Sequence, residues 1–175
     1  MKNDLLLSMQ ERRSVRAYLP KQITEEQLDA ILCAGTYAPT GMNRQSPNIV
    51  VVQDEKTRET LRRMNADIMG RPDSDPFYGA PCVLVVLADK NAAHTYLYDG
   101  SLTMGNMLLA AHSLGLGACW IHRAKETFET PEGKAILQKL GISGDYEGIG
   151  NCVVGYPDMT PAAKPRKENR VFYIE

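Results

Sequence analysis

Apolar positions recur along this chain in two rhythms, helical and strand-like, broken by short polar punctuation. Asn3 or Asp4 is placed to cap a short first helix carrying Leu5, Leu6 and Met9. Thr24-Glu25-Glu26-Gln27 reads as a capping box, and Leu28, Ile31 and Leu32 follow at helical spacing to an end near Ala38-Pro39. Ile49 to Gln53 predicts a strand, after which Asp54 opens a charged helix whose buried stripe is Leu61, Met64 and Ile68. Gly70 to Gly79 is a loop, and Cys82 to Ala88 is apolar throughout, as in a central strand covered on both faces.

Tyr98 to Leu114 predicts a long helix that is apolar almost all the way round, through Leu102, Met104, Met107, Leu108, Leu109, Ala110 and Ala111. Such a helix must be enclosed in a core or between subunits. A 19.4 kDa chain has little with which to sheathe it alone, so the pattern predicts a homodimer. Ala118 to Ile121 is the next strand. Thr130-Pro131-Glu132 opens a helix that Gly141 stops, and Glu147 to Tyr156 is a further strand. Val171 to Ile174 predicts a short terminal strand. With no repeat and no linker-like break, the expectation is one α+β domain over residues 1–175, with residues 163–175 as a C-terminal arm packing on the partner subunit.

The length narrows this further. Scaling gives a compact chain of this mass roughly 8,500 Å² of folded surface and about 70% burial, enough for one core. A net charge of -1 excludes a general nucleic-acid binder. No apolar run approaches the roughly 20 residues that a membrane helix needs. Met1 to Gln10 lacks the apolar centre of a secretory signal, so the expected location is cytoplasmic. Cys33, Cys82, Cys119 and Cys152 form no C-x-x-C pair and are read as buried reduced thiols. The histidines His94, His112 and His122 make no metal set.

Charge is unevenly placed. Residues 11–21 carry +3 through Arg12, Arg13, Arg16 and Lys21 against Glu11. Residues 164–170 carry +3 through Lys164, Arg166, Lys167 and Arg170 against Glu168. If Arg12 to Arg16 is extended, Arg12, Ser14 and Arg16 share a face. Two guanidinium forks and a hydroxyl there suit a phosphate dianion, and the bland alternative is a solvated charged turn. Ala38 to Pro47 concentrates Thr, Asn, Gln and two prolines, giving rigid polar groups fit to read a heterocycle's edge, although polar loops are also common connectors. Gly115-x-Gly117 and Gly148-x-Gly150 lack a third glycine and open no helix, so a Rossmann site or P-loop has no support. A Cys119/His122 nucleophile pair has no third group to orient it.

Four motifs in order, RRSVRAY, APTGMNRQSP, LGLGACWIHR and KPRK, resemble the FMN-dependent nitroreductase family over nearly the whole chain. The resemblance implies an α+β fold with a central, mainly antiparallel sheet flanked by helices. It also implies an intertwined homodimer with C-terminal arm exchange and FMN sites at the subunit interface, with NADH or NADPH as donor. Carried over by position, Arg12, Ser14 and Arg16 would bind the FMN phosphate and ribityl chain, with Arg13 supporting. Lys164 and Arg166 would complete that cradle. Pro39, Thr40, Gly41 and Asn43 would reach the flavin from the second subunit. Ile121, His122 and Arg123 would lie beside the reactive N5 edge, where the family uses main-chain donors, with His122 the one candidate for proton donation. The acceptor would be a small aromatic such as a nitroaromatic, or a quinone.

The chain also departs from that pattern. Many relatives carry Pro-Trp where Ser46-Pro47-Asn48 stands, and an acidic residue and a glycine where His122-Arg123 stands. There is no room for the family's extended helical insertion, and Gly70 to Tyr78 is the lid candidate. Two rivals stay open: a specialised flavin enzyme of reductive dehalogenase type, and a flavin-binding or redox-sensing protein without turnover. A phosphate-ligand binder with no flavin is the blandest option.

Overall fold

β2 (Cys82–Asp89) forms the heart of the molecule, because every residue from Cys82 to Ala88 is fully buried. Its neighbours in the sheet are β1 (Pro47–Val52) and β4 (Tyr146–Gly155), and β3 (Gly117–Ile121) pairs with the far side of β4, giving the order β1-β2-β4-β3. All three pairings are antiparallel. The computed structural model describes residues 3–175.

Alternate residues of this sheet supply two cores. Leu84, Val86, Cys152 and Val154 meet α2 (Glu25–Thr36) and α4 (Tyr96–Ser113) through Ile31, Met104, Met107 and Ala111. Val83, Val85, Leu87 and Val153 meet α3 (Glu55–Ile68), α5 (Ala124–Glu129) and α6 (Pro131–Lys139) through Leu61, Met64, Phe128 and Leu137. The expected α+β architecture, an antiparallel sheet between helical layers, is the one observed.

Local signals set the helix starts. Asn3 accepts from Leu6 N at 2.8 Å to cap α1 (Asp4–Glu11), and Thr24 and Gln27 complete the capping box reciprocally. Asp54 caps α3 from Thr57 N at 2.8 Å.

Two expectations need correction. Ile68 lies at the rim, 36% exposed, while Asn65 and Ala66 take the buried positions on α3. Cys33 is exposed on α2, and only the other three thiols are buried. Val171 to Ile174 is exposed and forms no strand among the described residues, its expected pairing being with a partner's sheet. Between β3 and α6 the chain adds α5, a stretch to which the sequence pattern assigns no element.

Within this chain α4 is enclosed on one face, and the expected cover between subunits would fall on the other. Leu97, Tyr98 and Leu102 remain exposed, at 44%, 72% and 47%.

The Gly70–Tyr78 segment is only partly free. Pro76 and Phe77 are buried, and Asp75 accepts from Phe77 N at 2.8 Å and from Gly79 N at 2.6 Å. Arg62 Nη1 holds the Ser74 carbonyl at 2.6 Å, leaving Arg71, Pro72 and Asp73 as the exposed tip.

Candidate functional site

The arginine-rich segment lies across the start of β3. Ser14 bridges Ala118 in parallel, Val15 N donates to Ala118 O at 3.1 Å, and Tyr18 bridges Pro157. Val15 and Tyr18 turn inward and are buried. Arg13 is committed locally, donating through Nη1 to Gln10 O at 2.6 Å and to Arg12 O at 2.8 Å, where it closes α1. Arg16 is exposed, and its N–H faces the Met159 sulfur at 3.3 Å. Arg12 is different: its Nη1 is buried with no hydrogen-bond partner among the described residues. A cationic donor in that state costs on the order of 1–3 kcal/mol or more. It borders a hollow of about 270 Å³ shared with Val15, His112, Leu116 and Met159.

The turn after β3 is built from carbonyls drawn backwards. Asn151 Nδ2 lies 3.5 Å from Ile121 O, and Asn65 Nδ2 donates to His122 O at 2.9 Å. Thr127 donates to Arg123 O through both N, at 3.0 Å, and Oγ1, at 2.8 Å. Across a trans peptide the following N–H points away from the carbonyl, so the N–H groups of His122, Arg123 and Ala124 point away from Asn151, Asn65 and Thr127 respectively. Among the described residues none of the three donates to another backbone group. Arg123 sits at φ +76°, the left-handed region, directly before the right-handed α5. Successive N–H groups across such a change of hand form an anion-binding concavity. The His122 ring is exposed, so the main chain of this residue joins the network while its imidazole does not.

A glycine-rich bulge lets this turn sit close to the sheet. The β2–β4 register slips between Val86 and Leu87, which face Gly150 and Gly148, leaving Ile149 as the extra residue. A Cβ on Gly148 would meet the Ala124 main chain at 2.3 Å, and one on Gly150 would meet the Trp120 ring at 2.4 Å.

The Pro39–Gln45 loop lies elsewhere. Gly41 N donates to Asp99 Oδ1 at 3.0 Å, and Ser46 Oγ and Thr95 Oγ1 donate to Asp99 Oδ2 at 2.9 and 3.2 Å. Thr40 Oγ1 accepts from Gln45 N at 3.1 Å, and Asn43 Oδ1 accepts from Gln45 Nε2 at 3.3 Å. Met42, Asn43 and Gln45 all hold positive φ, between 50° and 53°, a concentration of strain for non-glycine residues. Pro39 and Asn43 are exposed, and Thr40 and Gly41 half-buried. The loop feeds β1, at the sheet edge opposite β3. Three inter-strand steps separate the two edges, roughly 14 Å.

The predicted residues therefore fall into separate groups. Arg12 and Ser14 share the β3 edge with Ile121, three residues of strand or roughly 10 Å beyond Ala118, and with Arg123 in the turn that follows. The Pro39–Asn43 group occupies the far edge. Lys164 and Arg166 are exposed in the tail and make no hydrogen bond or ion pair among the described residues. Sequence reading missed Asn65, Asp99 and Asn151, which are all buried and all tie down functional loops.

Against this geometry, the sequence model of the Nitroreductase family matches residues 9–156. The chain belongs to the nitroreductase family. A nitroreductase from Bacteroides fragilis, solved with bound FMN, shares the fold at a TM-score of 0.91 and 31% identity, covering 99% of this chain and 100% of that one. A Bacillus subtilis NAD(P)H FMN reductase is 26% identical over 185 residues, 94% of this chain and 70% of that protein. An iodotyrosine deiodinase from Thermotoga neapolitana is 26% identical over 182 residues, 93% of this chain and 94% of that protein. The nitroreductase motifs read from the sequence fall inside the matched region, except the terminal KPRK.

Proposed function

We propose that this nitroreductase holds FMN and works as a homodimeric NAD(P)H oxidoreductase, delivering electrons to nitroaromatic, quinone or similar small acceptors. The observation that carries this reading is one sheet edge bearing two unmet needs. At its base a buried Arg12 Nη1 has no hydrogen-bond partner among the described residues, and past the far end of β3 lie three peptide N–H groups with no backbone acceptor among those residues. A ligand with a dianionic tail and an electron-rich ring edge satisfies both. Arg12, Ser14 and Arg16 would take the phosphate and ribityl chain, with Arg13 stiffening the segment. The N–H groups after Ile121 would face the ring. Lys164 and Arg166 would join the phosphate if the tail closes over it.

Bound there, FMN supplies the two-electron transfer between a reduced nicotinamide and the acceptor. The protein's share is to anchor, orient and exclude water. Donors fixed before the reaction stabilise negative charge without reorganising. No side chain here is a nucleophile, and the exposed His122 ring is at most a proton donor reached through solvent.

Dimerisation would bring the far loop to this edge. Tyr98, Leu102, Gly105, Leu109 and His112 recur along α4 at alternating steps of four and three, one continuous stripe. Gly105 lies at mid-helix with open space above it, where an alanine would help the helix by about 1 kcal/mol. Two copies crossing antiparallel at Gly105 would set the Asp99 end of one over the His112 end of the other. Pro39, Thr40, Gly41 and Asn43 of one protomer would then approach the Arg12 edge of its partner. The accessible surface is 10,900 Å², roughly 2,400 Å² above the value expected for a compact chain. That excess is of the size a stable interface and an exchanged arm would cover. A reductive dehalogenase-type reading needs a substrate lid, and buried Phe77 leaves little of residues 70–78 to move.

The test is a visible spectrum of the purified protein after FMN addition and gel filtration, followed by NADH and NADPH oxidation with a quinone or nitroaromatic. A yellow dimer whose donor oxidation accelerates with acceptor is expected. A protein that takes up no FMN overturns the reading.

A further inference from the structure

Arg123 combines three properties that a merely structural residue would avoid. It holds a left-handed backbone at φ +76°, a conformation that costs a non-glycine residue on the order of 1 kcal/mol. Its side chain is only partly exposed, yet among the described residues it forms no ion pair with any carboxylate. Its one side-chain hydrogen bond runs from Nε to Asn65 Oδ1 at 2.9 Å. The guanidinium is thus tethered by Asn65 without a carboxylate in salt-bridge contact among the described residues.

Asn65 is what fixes it. This amide is fully buried in α3, and both its ends are used: Oδ1 for Arg123 and Nδ2 for the His122 carbonyl. One side chain therefore fixes both the His122–Arg123 peptide and the guanidinium of Arg123. Leucine at position 65 would fill similar space and supply neither bond.

We propose that Asn65 and Arg123 act as a pair that tunes the reducing power of the bound flavin, Arg123 supplying a permanent positive charge and Asn65 positioning it. This rests on the FMN reading above. Two-electron reduction of the ring by hydride transfer adds two electrons and one proton, so the ring gains one negative charge. A fixed cation held by the turn favours that state over the oxidised one by Coulomb attraction. The phosphate anchor, at the other end of the ligand, would contribute equally to both states.

The experiment compares the wild-type holoprotein with Arg123→Gln, Arg123→Lys and Asn65→Ser by two measurements: affinity for oxidised FMN, and the two-electron midpoint potential at fixed pH and low salt. Arg123→Gln should leave oxidised FMN affinity within about threefold while weakening the preference for reduced flavin on the order of tenfold. Through linkage that is a fall of about 30 mV for a two-electron couple. Arg123→Lys should restore most of the potential. Asn65→Ser should lower it by less than Arg123→Gln, because the charge remains but is no longer held. A potential unchanged in Arg123→Gln, with FMN bound normally, overturns the proposal and leaves the FMN reading intact. Absence of FMN binding by the wild type would instead overturn both. Should Asn65→Ser fail to fold, the Gln and Lys variants at the partly exposed position 123 still decide the matter.

Discussion

Asp99 offers the sharpest test of how the Pro39–Gln45 loop is held. It is 2% exposed, sits in the first turn of α4, and receives three hydrogen bonds from Gly41 N, Ser46 Oγ and Thr95 Oγ1. Asp99→Ala removes the acceptor for all three. The Ser46 hydroxyl, in a residue 3% exposed, has little water to turn to, whereas Thr95 and Gly41 are half-buried and partly recover. One orphaned buried donor costs about 1–3 kcal/mol and a lost bond to a charged acceptor about 1.5–3 kcal/mol. Relief from burying a carboxylate offsets part of that sum. The net expectation is about 3 kcal/mol of destabilisation. For a chain of this size that is roughly 6–12 °C in Tm. Asp99→Asn keeps the volume and one acceptor oxygen and should cost about 1 kcal/mol. The assay is thermal unfolding at one protein concentration, with and without saturating FMN, because subunit and ligand binding both raise Tm by mass action. If the loop reaches a partner's flavin, the alanine variant should also show a smaller FMN-induced rise. A Tm within 2 °C of wild type for Asp99→Ala would refute the reasoning, since the network would then contribute nothing measurable.

Arg12→Ala should weaken FMN binding by about 1.5–3 kcal/mol, on the order of ten- to a hundredfold, in a fluorescence titration; unchanged affinity would remove Arg12 from the phosphate site. Gly148→Ala forces a Cβ against the Ala124 main chain, a neighbour that cannot rotate away, and should cost about 3 kcal/mol in urea unfolding. Native alkylation at pH 8 should label Cys33 alone, as burial pushes the Cys82 thiol up to about 12 and raises Cys152 as well. The sign follows by linkage: the Cys82 contribution is intact below the free thiol's value of 9.0 and is lost as pH rises toward 12. Removing Val171 to Glu175 should loosen the dimer in sedimentation runs, and an equally tight dimer would reject arm exchange.

Most of the fold was legible because its signals are local. A capping box at Thr24, a side-chain cap at Asp54 and an unbroken apolar run at Cys82–Ala88 each act within a few residues, and each lies where the sequence put it. Misreadings arose where distant structure decided the outcome. Ile68 has the right spacing for burial but is the last residue of α3 and lies at the rim, while Asn65 and Ala66 take the buried positions of that turn. The Val171–Ile174 run has the composition of a strand, yet a strand needs an edge to pair with, and the expected edge is a partner's. β3 is flanked by Ser14, which leaves the outer edge of β1 on the far side of the sheet.

The functional groups were harder to read, for a physical reason that concerns polarity. Arg12, Ser14 and the Thr40–Asn43 loop advertise themselves, the first two in a cluster of like charge and the loop beside Pro39 and Gly41. Asn65, Asp99 and Asn151 are polar residues inside helices and a strand, where a sequence reading assigns them to a solvated face. Each is buried because it satisfies a backbone group of a loop that has left its own hydrogen-bonding ladder. A buried amide or carboxylate in a regular element therefore marks the place where a neighbouring turn is held in a shape its own sequence would not choose. Here those turns are the left-handed Arg123 and the three positive-φ residues of the 42–45 loop. The two lie on opposite sheet edges, so no rearrangement within one chain unites them without breaking β2 or β4. In the proposed dimer a second copy would bring one against the other, and the proposed site would then depend on the oligomeric state.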